Sequence, residues 1–95
     1  MKGVLKEIID NVESLEWDHD LYVAEGELSL DSPAAVIEDD GVSETFEGLQ
    51  YFLSVQDVQS AVENLRTQIS NPNSGQVLEA IKHYHAYDAF IQFQG

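Results

Sequence analysis

The sequence predicts an α/β domain of the α+β kind, a two-layer sandwich in which about three helices cover a small mixed or antiparallel sheet of about four to five strands. Three observations lead there. Apolar residues recur every three or four positions near the N-terminus and twice in the second half of the chain, the period of a helix that buries one side. Between these segments the apolar spacing falls to two, as in half-buried strands. The chain of 95 residues has room for one core, so both kinds of element must share it, and residues 1–95 read as a single domain.

Taken in order, Val4, Leu5, Ile8, Ile9, Val12 and Leu15 set an amphipathic stripe, with Glu7, Asp10 and Glu13 on the other side. A first helix is expected over about residues 3–14. Leu21 and Val23, then Leu28 and Leu30 after Glu25-Gly26, read as the two strands of a hairpin. Pro33 interrupts, and the apolar run 34–37 predicts a brief third strand closed by Asp40-Gly41, a turn dipeptide. Residues 41–48 mix small residues and acids around Phe46 and read as a surface loop, before strand-like chemistry returns at 49–53. Ser54 with Asp57 three residues on predicts a capped helix, and Val55, Val58, Val62, Leu65 and Ile69 give it one continuous apolar stripe. Ser74 is the expected cap of a third helix carrying Val77, Leu78, Ile81 and Tyr84. Ala89, Phe90, Ile91 and Phe93 read as a closing strand.

Charge is the dominant compositional fact. The net charge is -14, and it is unevenly placed: residues 1–47 hold 14 acids against Lys2 and Lys6, a balance of -12, while residues 48–95 hold 4 acids against Arg66 and Lys82, a balance of -2. Such a surface repels nucleic acid and anionic lipid and speeds encounter with a cationic surface at low salt. Direct nucleic-acid binding and membrane binding are therefore not expected, and a basic protein partner is. Acidity can also act only to keep a protein in solution. A hydrophobic content of 43% is that of a folding chain. The absence of cysteine rules out a disulfide framework and fits a reducing compartment, so the cytoplasm is the expected location. No apolar run approaches the roughly 20 residues of a membrane span, and the N-terminus does not read as a signal peptide.

The stretch EWDHDLYV, residues 16–23, concentrates carboxylates, a histidine and a tryptophan. As a calcium loop starting at Asp18 it fails, because the fifth and sixth positions are Tyr22 and Val23 rather than an oxygen ligand and a glycine. On a strand, Asp18 and Asp20 point to one side and His19 to the other, so they do not converge on one ion. His83 and His85 sit about 200° apart on a helix, and late-helix histidines commonly face the negative end of the dipole or pack beside a core. The chain has no HExxH, Walker loop, GxGxxG or GxSxG, so phosphate cradling and a nucleophile elbow lack an anchor. Carboxylate pairs are everywhere in so acidic a chain and carry no information about acid–base catalysis. No catalytic, cofactor-binding or metal-ligating residues are expected, and the chain does not read as an enzyme.

Tyr51, Phe52, Phe90 and Phe93 lie in strand-like runs and read as core, whereas Trp17 and Phe46 stand beside acids. Trp17 either closes one end of the core over the first helix or is offered to a partner. A ring surrounded by carboxylates suits an interface, because the ring supplies area while the acids set orientation and on-rate. The candidate partner-binding set is therefore Trp17, Asp18, Asp20, Glu38, Asp39, Asp40, Glu44, Phe46 and Glu47.

The segments LKEIIDNVESLEWDHDLYV, YFLSVQDVQSAVENL and DAFIQF resemble a family of short, acidic bacterial proteins of uncharacterised function. In size, acidity and mixed α/β pattern the chain is also similar to immunity proteins of bacterial toxin systems, including those of contact-dependent growth inhibition. That resemblance implies a small protein that neutralises a nuclease toxin by occluding its basic surface. Two other readings are weighed beside it: an accessory protein that mimics nucleic acid, and a small metal-dependent enzyme using His19, His83, His85 and nearby acids.

Overall fold

The computed structural model describes residues 1–38 and 44–92. Among them, five strands form one antiparallel sheet: β1 (Lys2–Val4), β2 (His19–Val23), β3 (Pro33–Glu38), β4 (Thr45–Phe46) and β5 (Leu49–Ser54), in the order β1-β3-β2-β5-β4. Three α-helices, α1 (Leu5–Asp10), α2 (Val55–Gln68) and α3 (Ser74–Tyr87), pack on one face. Leu21, Val23, Ala34, Val36 and Leu53 of the sheet meet Leu5, Ile8, Ile9, Val55, Val58, Val62, Leu65, Val77, Leu78 and Ile81 of the helices in one core. The α+β expectation of a small sheet with a helical layer is met.

The first helix departs from its predicted span at both ends. Lys2–Val4 pair with Pro33–Ala35 as an edge strand, α1 is only six residues long, and after Asn11 the chain tightens into a 3-10 turn at Val12–Ser14. The apolar stripe survives because Leu5, Ile8, Ile9 and Val12 all remain buried. What breaks the helix is competition for its carbonyls: Asn11 Nδ2 donates back to the Glu7 carbonyl, and Gln59 Nε2 of α2 donates to the carbonyls of Val12 and Leu15. A partner 47 positions away is invisible to local periodicity.

The predicted hairpin strand at Leu28–Leu30 does not form. Leu28 is buried in the core, but the backbone here is spent on α1, whose N-cap Val4 has no side-chain oxygen: the N–H groups of Leu5 and Lys6 donate to the carbonyls of Ser32 and Leu30. A helix leaves its first N–H groups unpaired, and a loop supplies the acceptors. Pro33 opens β3 rather than interrupting it, at the strand position where a missing N–H costs nothing. The partner of β2 is thus β3, with Val23 opposite Ala34 and His19 opposite Glu38.

Residues 45–48, expected as loop, form a tight hairpin. Phe46 pairs with Leu49, leaving Glu47 and Gly48 as a two-residue connection with φ of 47° and 86°. Two positive φ values in succession are what a twist-matched hairpin turn requires. On β5 the register against β2 shifts between Leu21 opposite Leu53 and Tyr22 opposite Tyr51, so Phe52 is the extra residue of a bulge. Phe52 consequently joins Leu53 against the helical layer and stacks on His85.

Ser54 Oγ accepts from the Asp57 N–H at the start of α2, as predicted. At α3 the cap is Asn73, one residue earlier than expected, in a reciprocal arrangement with Gln76. Ser74 instead donates its hydroxyl to Asp10, tying α3 to α1. The expected closing strand is absent at residues 89–92, and Phe93 lies outside the described residues. Asp88, at φ 52°, ends α3 and turns the chain back, so that Gln68 of α2 donates to the Ile91 carbonyl and Phe90 packs on Tyr84.

Candidate functional site

The residues of the predicted acidic surface fall into two groups. Trp17 and Asp18 occupy the turn that leads into β2; because His19 is opposite Glu38 in register, Glu38 stands at the same end of the sheet. Trp17 is 66% exposed, so it does not close the core. Asp18 Oδ1 lies 2.9 Å from His19 Nδ1, which uses that ring locally. The second group, Glu44, Phe46 and Glu47, belongs to β4 and its turn, where the Tyr51 N–H donates to the Glu44 carbonyl. Asp39 and Asp40, which the chain places between the groups, lie outside the described residues.

Asp20 does not belong to this surface. It was expected as an exposed acid, yet it is 7% exposed. It sits in the middle rows of the sheet, opposite Ile37 on one side and Ser54 on the other. Alternation puts it with Tyr22 on the face away from the helices, and that face is covered too.

Over Tyr22 the cover comes from the two edges of the sheet. Tyr22 is only 2% exposed although no helix lies over it: its ring contacts Tyr51 at 6.0 Å and Phe46 at 6.3 Å between centroids. Lys2, on edge strand β1, places its ammonium 2.7 Å from Glu47 Oε2 and 5.8 Å from the Phe46 ring centroid, both on the opposite edge. The sheet is curled until its first and last strands touch over Tyr22. Beneath this contact Ala35, aligned with both Lys2 and Tyr22, is small enough to let the edges close. Tyr51, read as core from its strand-like run, instead flanks Tyr22 and is 46% exposed; Phe90 is exposed as well.

Lys2, Tyr22 and Tyr51 are the members of this arrangement that the sequence reading missed. The signals were present: Tyr22 falls in the position alternate to Leu21 and Val23, and Glu47-Gly48 separates two paired apolar residues. Neither reveals that β1 and β4 meet.

The other titratable groups are dispersed. His83 tilts against Tyr87 and His85 stacks on Phe52. Among the described residues no cluster of three or more histidine, aspartate or glutamate side chains is placed to hold a metal ion. A half-open groove of ≈ 310 Å³ runs beside α2, lined by Val12, Glu13, Gln59, Val62, Glu63 and Arg66, with an Arg66–Glu13 ion pair across it. Its walls carry both signs of charge, so it selects neither a cation nor an anion. Among the described residues three ionisations are perturbed, at the junctions of the helices. The hydrogen bond from Lys6, then that from Ser74, holds the Asp10 carboxyl below its ordinary range and Lys6 is raised in return, while the negative charge of Asp57 pushes the Tyr84 phenol up.

Each lysine and the one arginine is engaged with a carboxylate: Lys2 with Glu47, Lys6 with Asp10, Arg66 with Glu13 and Lys82 with Glu79. Among the described residues no helix is long and apolar enough to cross a membrane. No curated protein and no solved structure matches the chain. One family model does, over residues 2–93, and nearly the whole of this sheet and helical layer therefore belongs to the family described as a domain of unknown function, DUF7716.

Proposed function

We propose that the protein is a binding protein that neutralises a basic protein partner, acting in the cytoplasm as an immunity protein that covers the basic surface with which a nuclease toxin holds its substrate. One observation carries the reading: the chain's 4 lysine and arginine side chains are all committed to internal carboxylates, so a charge of -14 is left for solvent ions or a partner to meet. Trp17, exposed between Glu16 and Asp18, adds the buried area on which a protein interface depends, since aromatic anchors carry much of the binding energy while surrounding charges set rate and register. The exposed acids of this half of the chain, Asp18, Glu38 and Glu44 among them, lie over the lysines and arginines of the toxin and exclude nucleic acid by occlusion.

The test is a charge-reversal scan measured as binding kinetics, at two salt concentrations, against the partner captured with the full chain from its native cell. Asp18→Lys, Glu38→Lys and Glu44→Lys slow association, Trp17→Ala speeds dissociation, and Lys82→Glu on α3 changes neither. Untouched rates in the acidic variants would reduce the charge to a solubility device. Competition with nucleic acid on several unrelated enzymes would replace immunity by nucleic-acid mimicry.

A further inference from the structure

The contact that closes the curled sheet is itself a bound cation. Lys2 Nζ lies 2.7 Å from Glu47 Oε2 and 5.8 Å from the centre of the Phe46 ring, within the distance at which a ring face attracts an ammonium. The receptor half of this pair is built in a fixed shape. Glu47 has φ of 47° and Gly48 φ of 86°, and a non-glycine residue is uncommon in the left-handed region and costs free energy there. The two-residue turn thus holds the carboxylate next to the ring. The Phe46 ring is supported from below by Tyr22 and, through it, by Tyr51. The occupant, by contrast, is loosely held: Lys2 and Glu47 side chains are each 59% exposed, and exposed pairs of this kind contribute little.

We propose that the Phe46–Glu47 turn is a receptor for a basic side chain of the protein partner, and that Lys2 is an internal stand-in which the partner's arginine or lysine displaces. The proposal rests on the reading of the chain as a binder of basic proteins and assigns that surface a position and a chemistry. Charge complementarity selects the occupant: a carboxylate beside an aromatic face accepts an ammonium or a guanidinium. A guanidinium fits better than the resident lysine, because its plane can lie on the ring while its N–H groups reach the carboxylate. Exposed Glu44 and Tyr51, joined through the Tyr51 N–H and the Glu44 carbonyl, extend the same chemistry along β4 and β5. The displaced Lys2, whose side chain is already 59% exposed, passes into solvent, so exchange of one cation for another does not strand a buried charge.

The experiment titrates the full chain with a hexa-arginine peptide blocked at both ends, reading the dissociation constant at low salt and the ring shifts of Phe46. Lys2→Gln removes the stand-in; Lys6→Gln removes an equal charge from a pair, with Asp10, that contains no ring; Lys2→Arg keeps a cation in place. Lys2→Gln is expected to bind about two- to fivefold more tightly than Lys6→Gln, Lys2→Arg to bind no more tightly than the parent because its guanidinium holds the receptor at least as well, and Phe46→Leu to abolish the gain made by Lys2→Gln. In the parent chain the Phe46 ring shifts move on titration. Binding by the parent with equal affinities for Lys2→Gln and Lys6→Gln, or with unmoved Phe46 shifts, overturns the stand-in and leaves the acidic binder intact. No binding by any of the proteins overturns both.

Discussion

The His85 ring lies flat on Phe52, with centroids 4.0 Å apart and planes 16° from parallel. Phe52 reaches it only because the register between β2 and β5 slips by one residue, which turns two successive side chains of β5 toward the helices. The stack fastens the last turns of α3 to the sheet. A double-mutant cycle of Phe52→Leu and His85→Gln, followed by urea melts, is expected to give a coupling of about 0.5–1.5 kcal/mol. Strict additivity would mean that the rings are neighbours without an energetic link.

Leu65, at 0% exposure, is with Val55 one of the two most enclosed points of the α2 stripe. Leu65→Ala is expected to cost about 2–5 kcal/mol through lost burial and the cavity left behind. A denaturant melt that moves by less than about 1 kcal/mol would mean that the surrounding core side chains collapse into the space.

The two aspartates of EWDHDLYV separate by burial. Asp18→Lys leaves stability nearly unchanged, since its side chain is exposed. Asp20→Lys puts a long cation into a covered row of the sheet and is expected to cost about 3 kcal/mol. The same melts that screen a binding scan read both. Equal losses, or a tolerated Asp20→Lys, would contradict the covered outer face.

Two ionisations predict the pH limits of stability. With Asp10 held below its ordinary value, first by Lys6 and then by Ser74, its contribution is present above the unfolded carboxylate pKa and is lost as pH falls through the depressed folded value. Asp10→Asn should therefore flatten the acid limb below about pH 4. Tyr84 is raised, first by the charge of Asp57 and then by burial, so its contribution is intact below about pH 10 and is lost as pH rises through the folded value. Tyr84→Phe should remove that alkaline loss, measured as urea midpoints at pH values on either side. An alkaline limb unchanged in Tyr84→Phe would assign it elsewhere.

Sequence by itself determined the elements whose stabilising partners are local. The α2 stripe and the Ser54 cap at Asp57 were readable because a helix closes its own hydrogen bonds and repeats its buried side every three or four residues. The strands at 19–23, 33–38 and 49–54 were readable in outline because spacing by two, a short apolar run closed by a turn dipeptide and strand-favouring residues are all properties of the chain alone. The charge asymmetry between the halves was also fully present in the sequence.

Tertiary structure decided everything that depended on a distant partner. Gln59 ended the first helix, the N–H groups of α1 claimed the carbonyls that a 28–30 strand would have used, and the turn at Asp88 sent the C-terminal apolar run across α2 instead of into the sheet. The candidate surface divides in the same way. Trp17 is exposed in the turn before β2 and Asp20 is buried on the central strand between β3 and β5, three residues apart in one acidic stretch, and local composition separates neither from the other. Lys2 and Glu47 meet across 45 positions because β1 and β4 are the two edges of a sheet bent closed over Tyr22, and no period in the sequence encodes which edges will touch.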